Sequence, residues 1–583
     1  MTRRRRCLTL VLLWGTAFLS GTAAWAGVSL PGDPIAAARF STLDEITTEN
    51  VGGLSSAYSV ALPIGCGYSG APQQSGDLLI VVTPFPHRVL AVDLASGTVR
   101  WNYAPPANSA AKGSNIDCRG SQGPTVSGDA VFLNTLDGHT ISLAAASGSV
   151  NWDMQSADLE AGEPLGAAPV VVNGAVLVGN AGEAFGVRGW IKSLDRSTGR
   201  ELWRKYSTGS DSEVGINAGF HPVYKTEQGH DLGVSSWPPA GWEHGGGNVA
   251  GMIASDPETG LIFHGTGRPA PGNPDRRAGD NKWTSGLFAR DPQTGMARWF
   301  TQLTPHDPYG YGATAANVLA DRDWKGSSRH LLVHADANAY VYVLDRDSGE
   351  ILSAAPFAPA NAIDAVDPKS GAPHYVEAKA VRGDDTTRNV CPAATGALSG
   401  GAPALSGDAR LLFIPATLLC MDIRPHDVSY LKNTPYTGVA QRLRPGPSPN
   451  RGALSAWDIE RGKPAWIVPE RFPVESGVLA TAGNLVFYGT LDGWLRAVDA
   501  GTGRMVWQYR AASQVAGQPV TGRGPDGKQY IAVLAGLAGP AGRSAADEID
   551  TLDRTAAQGF ANAIPDLPHP PDAHGMLYVF KLP

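Results

Sequence analysis

A chain of 583 residues with 71 Gly, 44 Pro and only 17% charged side chains fits many short strands joined by tight turns better than long surface helices. Length alone leaves several ordinary domains or one large all-β or repeat fold open. The net charge of −7, with no basic run beyond the extreme N-terminus, argues against a phosphate-backbone partner, so no nucleic acid is expected.

In chain order, Arg3 to Arg6, the apolar run Leu8 to Leu19 and Ala24-Trp25-Ala26 supply the charged, apolar and small-residue parts of a secretory leader. Residues 1–26 are therefore expected to be removed, leaving 27–583 as one exported domain. The apolar run is shorter than the about 20 residues that span a bilayer, and no second run follows, so no stable membrane anchor is expected. Cys7 leaves with the leader. Cys66, Cys118, Cys391 and Cys420 form an even set in an oxidising compartment, enough for two disulfides. No Cys-x-x-Cys-His and no paired Cys-x-x-Cys occur, which removes covalent haem and zinc from the readings.

One pattern then recurs along the chain: a short alternating apolar strand, an Asp, a Gly four residues on and a Trp four further on. Copies stand at Asp93, Gly97, Trp101; Asp195, Gly199, Trp203; Asp291, Gly295, Trp299; Asp458, Gly462, Trp466; and Asp499, Gly503, Trp507. Two are worn: Ala144, Gly148, Trp152 lack the Asp, and Asp345, Gly349, Ser353 lack the Trp. Each copy reads as a strand ending in a turn, with Gly where a positive φ is cheap and β-branched residues resuming the next strand. An indole at one fixed place per unit suits the docking of neighbouring sheets, burying about 150–250 Å² each. Radially stacked sheets follow, and with them an all-β, eight-bladed β-propeller of four-stranded antiparallel blades. Its eighth blade is closed by joining "SSAYSVAL" (55–62) to "GMLYVFKLP" (575–583). The Pro- and Gly-rich stretches 208–284 and 354–450 are expected to be loops on one face.

Longer strings extend the pattern: "VTPFPHRVLAVDL" (82–94), "FGVRGWIKSLDRSTGRELWR" (185–204), "GDNKWTSGLFARDPQTGMARW" (279–299), "TPHDPYGYG" (304–312), "LLVHADANAYVYVLDR" (331–346) and "GVLATAGNLVFYGTLDG" (477–493). From about residue 44 to the C-terminus the chain resembles the pyrroloquinoline quinone (PQQ) dependent methanol and alcohol dehydrogenases. The resemblance implies an eight-bladed periplasmic protein with PQQ and a Ca²⁺ or lanthanide ion near the axis, which oxidises an alcohol and passes electrons to a cytochrome. It also implies a disulfide between Cys391 and Cys420.

Residue by residue, most of the implied site is replaced. The family's catalytic Asp, and the second Asp that often serves lanthanides, fall at Gly310 and Gly312, which can neither accept a proton nor ligate through a side chain. The cation beside the quinone oxygens falls at Ala337 of "HADANA". The metal-binding Glu is kept as Glu183 in "NAGEAFGVRG", but its Asn partner becomes Arg268 of "GTGRP", whose permanent charge suits a salt bridge with Glu183 rather than an ion. The indole floor falls at Ala250, another aromatic at Glu475 of "FPVESG", and a PQQ-contacting Asn at Ser399. The family's adjacent-cysteine ring falls at Ile116 and Asp117, with Cys118 one place on and able to bond Cys66 instead. PQQ with Ca²⁺ or a lanthanide is thus the family's expectation, disfavoured by these residues, and Glu183 is a metal ligand only if a metal binds.

Three functions follow. One is a rebuilt axial cavity that takes another small molecule, with Glu183, Arg268, His306, Ser399 and Glu475 as its polar groups. The bland counterpart is an internal Glu183–Arg268 ion pair, with His306 and Asp307 bracing a turn. The second is a working PQQ-dependent alcohol dehydrogenase. The third is a non-catalytic binding module that offers loops such as 427–452 to a protein partner in the periplasm. No Gly-x-Ser-x-Gly elbow or His-Glu-x-x-His motif supports a hydrolase.

Overall fold

The computed structural model describes residues 38–106, 123–165, 167–222, 229–367, 370–398, 400–538, 559–568 and 574–583. The leader expected over 1–26 lies outside these residues, as do Ile116, Asp117, Cys118 and Ser399. Eight sheets contain the expected four-stranded antiparallel unit; two of them carry a short parallel fifth strand, Phe40–Ser41 or His221–Pro222. In the first blade Leu78–Val82 and Val89–Asp93 are largely buried, while Val99–Tyr103 faces outward. That gradient explains the sequence: a strand sandwiched between two neighbouring sheets is apolar on both faces, and the outer strand alternates. Ile80, Val82 and Ala91 of one blade pack with Val131, Leu133 and Leu143 of the next. The ring closes as anticipated, with Ser55–Leu62 antiparallel to Gly575–Lys581 in the register Leu62 to Gly575 and Ser55 to Lys581.

The repeat residues now have separate tasks. The Asp side chain accepts from backbone N–H groups inside its own turn, as Asp195 does from Thr198 (2.8 Å) and Asp499 from Thr502 (2.9 Å). The indole N–H reaches the following blade: Trp101 donates to the Ala145 carbonyl (3.0 Å), Trp152 to Arg196 (2.9 Å), Trp203 to Pro292 (3.0 Å), Trp299 to Arg346 (3.0 Å) and Trp466 to Ala500 (3.0 Å). Trp507 closes the series onto the Leu54 carbonyl at 3.0 Å. The repeat Gly of that following blade lies under the indole face, so a Cβ on Gly148 would come within 2.5 Å of Trp101 and one on Gly349 within 2.6 Å of Trp299. Glycine is needed for two reasons, a positive φ and the absence of a side chain. In the closing blade Tyr58 takes the indole's place, donating to the Leu94 carbonyl (2.9 Å) above Gly97. Where Ser353 replaces Trp, the seam is open: a Cβ on the following Gly462 would meet only Ala355, at 3.7 Å.

The stretches read as loops are more ordered than expected. Among the described residues, 208–284 hold four short helical turns, Asp211–Val214, Leu232–Ser235, Gly241–His244 and Pro274–Arg276, and the two inner strands of a blade, Ala254–Asp256 and Leu261–Gly265. Residues 354–450 hold a hairpin of Ile363–Val366 with Pro373–Tyr375, and a sheet of Thr387–Val390, Leu419–Pro425 and Val439–Pro445. They also supply Ala404–Leu405 and Leu411–Thr417 to a blade. These strands escape a repeat search because none ends in the Asp-Gly-Trp spacing. Within this insertion Cys391 and Cys420 form the disulfide implied by the family resemblance. Cys66 is also disulfide-bonded; Cys118, its suggested partner, is outside the described residues.

Candidate functional site

A pocket of about 380 Å³ opens where several inter-strand loops meet, and its lining includes Glu183, Arg268 and Gly310. Glu183 starts a single helical turn, Glu183–Phe185, held between Gly182 (φ 111°) and Gly186 (φ 68°). Arg268 follows the buried strand Leu261–Gly265. Gly310 lies in the loop after Ala297–Gln302, and a Cβ there would come 3.3 Å from Nη1 and 3.4 Å from Cδ of Arg268. The guanidinium therefore covers the space in which a side chain at position 310 would start. Arg268 Nη2 stands 3.8 Å from Glu183 Oε1, with both side chains about a quarter to a third exposed (26% and 30%). Among the described residues, Glu183 is the one carboxylate of the lining.

Asp307 holds the glycine loop from beneath. Its Oδ1 accepts from the Gly310 N–H (2.9 Å), and its Oδ2 accepts from the Gly312 N–H (2.9 Å) and the Ser285 hydroxyl (2.9 Å). Buried Arg277 donates to the carbonyls of His306 (2.7 Å) and Asp307 (2.6 Å). His306 itself sits at φ 57° with Nδ1 2.8 Å from the Gly279 carbonyl oxygen, and partial burial, then nearby Arg277, lowers its pKa. Neither His306 nor Asp307 lines the pocket; both brace the turn.

None of the other expected positions among the described residues lines the pocket. Ala337, in the turn between Ser327–Ala335 and Tyr340–Asp345, packs under Gly396, whose Cβ would come 2.9 Å from the Ala337 Cβ. Ala250 is half-buried just before Ala254–Asp256. Glu475 is half-buried beside the segment containing Gly401, makes no hydrogen bond or ion pair with the described residues, and burial raises its carboxyl to about 7. It does not line the 380 Å³ pocket.

Several lining residues were not anticipated. His426, Tyr436, Thr437, Val439 and Gln441 come from the insertion. The Tyr436 N–H donates to the Ala184 carbonyl (2.6 Å), which ties this strap to the turn that carries Glu183. Tyr430 stacks on His244 with ring centroids 3.5 Å apart, and meets Tyr436 edge-on at 5.7 Å. Two tyrosines, Tyr430 and Tyr436, within a basic, turn-rich stretch were the only sequence signal. Asn248, fully buried, has both amide atoms without a hydrogen-bond partner, and nothing in the sequence marks it. Among the described residues, the one group of three acidic or histidine side chains close enough for a metal is Glu258, Asp321 and His330, outside this pocket, where Arg346 already lies 2.8 Å from Asp321.

Residues 31–367 and 449–531 match the PQQ family model, described as the glucose/ethanol/alcohol dehydrogenase β-propeller domain. The chain belongs to the PQQ-dependent alcohol dehydrogenase family. It is 36% identical over 552 residues to the lanthanide-dependent methanol dehydrogenase of Methylacidiphilum fumariolicum, covering 93% of this chain and 90% of that protein. It is 33% identical to methanol dehydrogenase [cytochrome c] subunit 1 of Paracoccus denitrificans, covering 94% and 88%. A solved europium-containing methanol dehydrogenase superposes with a TM-score of 0.91 at 35% identity, over 96% of this chain and 98% of that one. The described residues of this chain are almost wholly β, and none of their helices is long and apolar enough to cross a membrane.

Proposed function

We propose that this chain is an exported member of the family that has given up calcium- or lanthanide-supported PQQ alcohol oxidation and uses its pocket to bind, or act on, a small organic molecule by another route. The observation that carries this reading is Gly310 lying under the Arg268 side chain. A glycine cannot serve as the base that accepts an alcohol's proton. Ca²⁺ takes about six to eight oxygen ligands, whereas the described lining offers one carboxylate, with a permanent cation 3.8 Å from it. The residues present do not fit such an ion. Ala337 and Ala250, which bring neither a cation nor a ring, support the same reading.

A second reading, a working PQQ-dependent alcohol dehydrogenase with a cytochrome as electron acceptor, is favoured by one observation, the 36% identity to a lanthanide-dependent methanol dehydrogenase over nearly the whole chain. It needs a carboxylate from another loop within hydrogen-bond reach of the alcohol. Titrating the mature chain with PQQ plus Ca²⁺, and separately plus a lanthanide, distinguishes the two. No saturable quinone absorbance and no rise in melting temperature are expected. Saturable binding with stabilisation would overturn the proposal, since a ligand that prefers the folded state must stabilise it.

A further inference from the structure

Arg268 differs from the other buried or half-buried arginines among the described residues. Arg277 spends its N–H groups on Pro271, Asn281, His306 and Asp307, and Arg290 spends its own on His264, Val214 and Gly295. Arg444 grips Asp422 at 2.6 Å. The Arg268 guanidinium donates no hydrogen bond to any described residue, and its one ionic neighbour, Glu183, is 3.8 Å away, beyond hydrogen-bond reach. The Glu183 carboxylate likewise accepts no hydrogen bond from the described residues. A structural ion pair would close to about 2.7–2.9 Å to repay its desolvation. This one faces a cavity of about 380 Å³ instead, with Tyr309, Ile423 and Val439 as apolar wall.

A planar, permanently charged fork with free donors matches a carboxylate. A carboxylate with free acceptors beside it repels a simple anion, unless that anion also carries a donor to meet it. Resting on the reading of the pocket given above, we propose that it takes a small organic acid, whose carboxylate is held by Arg268 and whose hydroxyl or ammonium group on the neighbouring carbon donates to Glu183. Both kinds of acid share this chemistry. The cavity is near the lower end of small-molecule pockets, which limits the ligand to a few carbons beyond that head group.

Calorimetric titration and melting shifts of the mature chain with lactate, alanine, acetate and ethanol test this. Lactate or alanine should bind saturably, and which of them does so identifies the donor. Acetate should bind about tenfold more weakly for want of a bond to a charged acceptor, and ethanol should not bind in the same range. Arg268→Lys, which keeps the charge but not the fork, should weaken the acid about tenfold or more, and Glu183→Gln should narrow the gap between that acid and acetate. Circular dichroism confirms that the variants are folded. Binding of acetate as tight as that of lactate and alanine, binding unchanged in Arg268→Lys and Arg268→Met, or no binding of any acid overturns the proposal. The PQQ titration on the same sample separates the two failures: PQQ binding without acid binding overturns the reading of the pocket, and binding of neither overturns the acid alone.

Discussion

Gly349→Ala is expected to lower the free energy of unfolding by about 3 kcal/mol and Gly462→Ala by about 1 kcal/mol, although both residues occupy the same place in their repeats. Both have left-handed backbone, with φ 78° and 60°, so a side chain costs each of them about 1 kcal/mol. Gly349 alone lies beneath an indole: its Cβ would come 2.6 Å from Cδ2 and Cε3 of Trp299, and 3.0 Å from Oγ1 of Thr301. Trp299 is 1% exposed and held by its bond to the Arg346 carbonyl, so it has nowhere to retreat. Overpacking of that kind adds about 2 kcal/mol. At Gly462 the nearest atom is the Ala355 Cβ at 3.7 Å, an ordinary contact, because Ser353 stands where the docking Trp would be. Chemical unfolding midpoints at equal slope measure both costs. Equal losses would show that the indole does not hold the seam.

Glu475→Gln is expected to change the pH dependence of stability. The Glu475 carboxyl titrates at about 7 in the folded protein because burial penalises its charged form, against 4.5 ordinarily. Between about 4.5 and 7 the folded protein therefore holds a proton that the unfolded chain has released, and stability falls as pH rises, by about 1.4 kcal/mol per unit. The full cost, about 3 kcal/mol, is reached above 7 and vanishes below 4.5, where both states are protonated. Glu475→Gln should match the native chain at pH 4.5 and exceed it by about 3 kcal/mol at pH 8. Urea unfolding at the two pH values gives the comparison, and parallel pH profiles for the two proteins would disprove it.

The blades were legible because their signal is local. Asp, Gly and Trp four residues apart lie within one turn and its following strand, and the same turn is written again, intact or worn, in every blade but the closing one. The Asp is dispensable to the turn, as Ala144 shows: the Gly148 N–H still bonds its carbonyl at 2.8 Å. The indole's partner was not legible, since it belongs to the next sheet, 34 to 89 residues further on for Trp466 and Trp203. Nor was Tyr58, which docks the closing blade without the repeat spacing. In the pocket, the family resemblance put Glu183 and Arg268 at neighbouring positions, but the 3.8 Å gap between them was not legible in the sequence. Nor was the strap with Tyr436 and Gln441, because it joins the site from an insertion with no periodicity, through one backbone bond to Ala184.

By itself the sequence determined the all-β repeat, the closure of the first strand on the last, and the absence of a carboxylate at Gly310 and of a cation at Ala337, because each depends on residue type at a fixed spacing. Only the tertiary structure decided that Arg268 overlies Gly310 without a hydrogen bond of its own, that Asp307 and His306 brace the loop rather than face the pocket, and that Glu475 stands unpartnered among the described residues. Those outcomes depend on distances between segments far apart in the chain and on how much water each group keeps, which residue order does not encode locally.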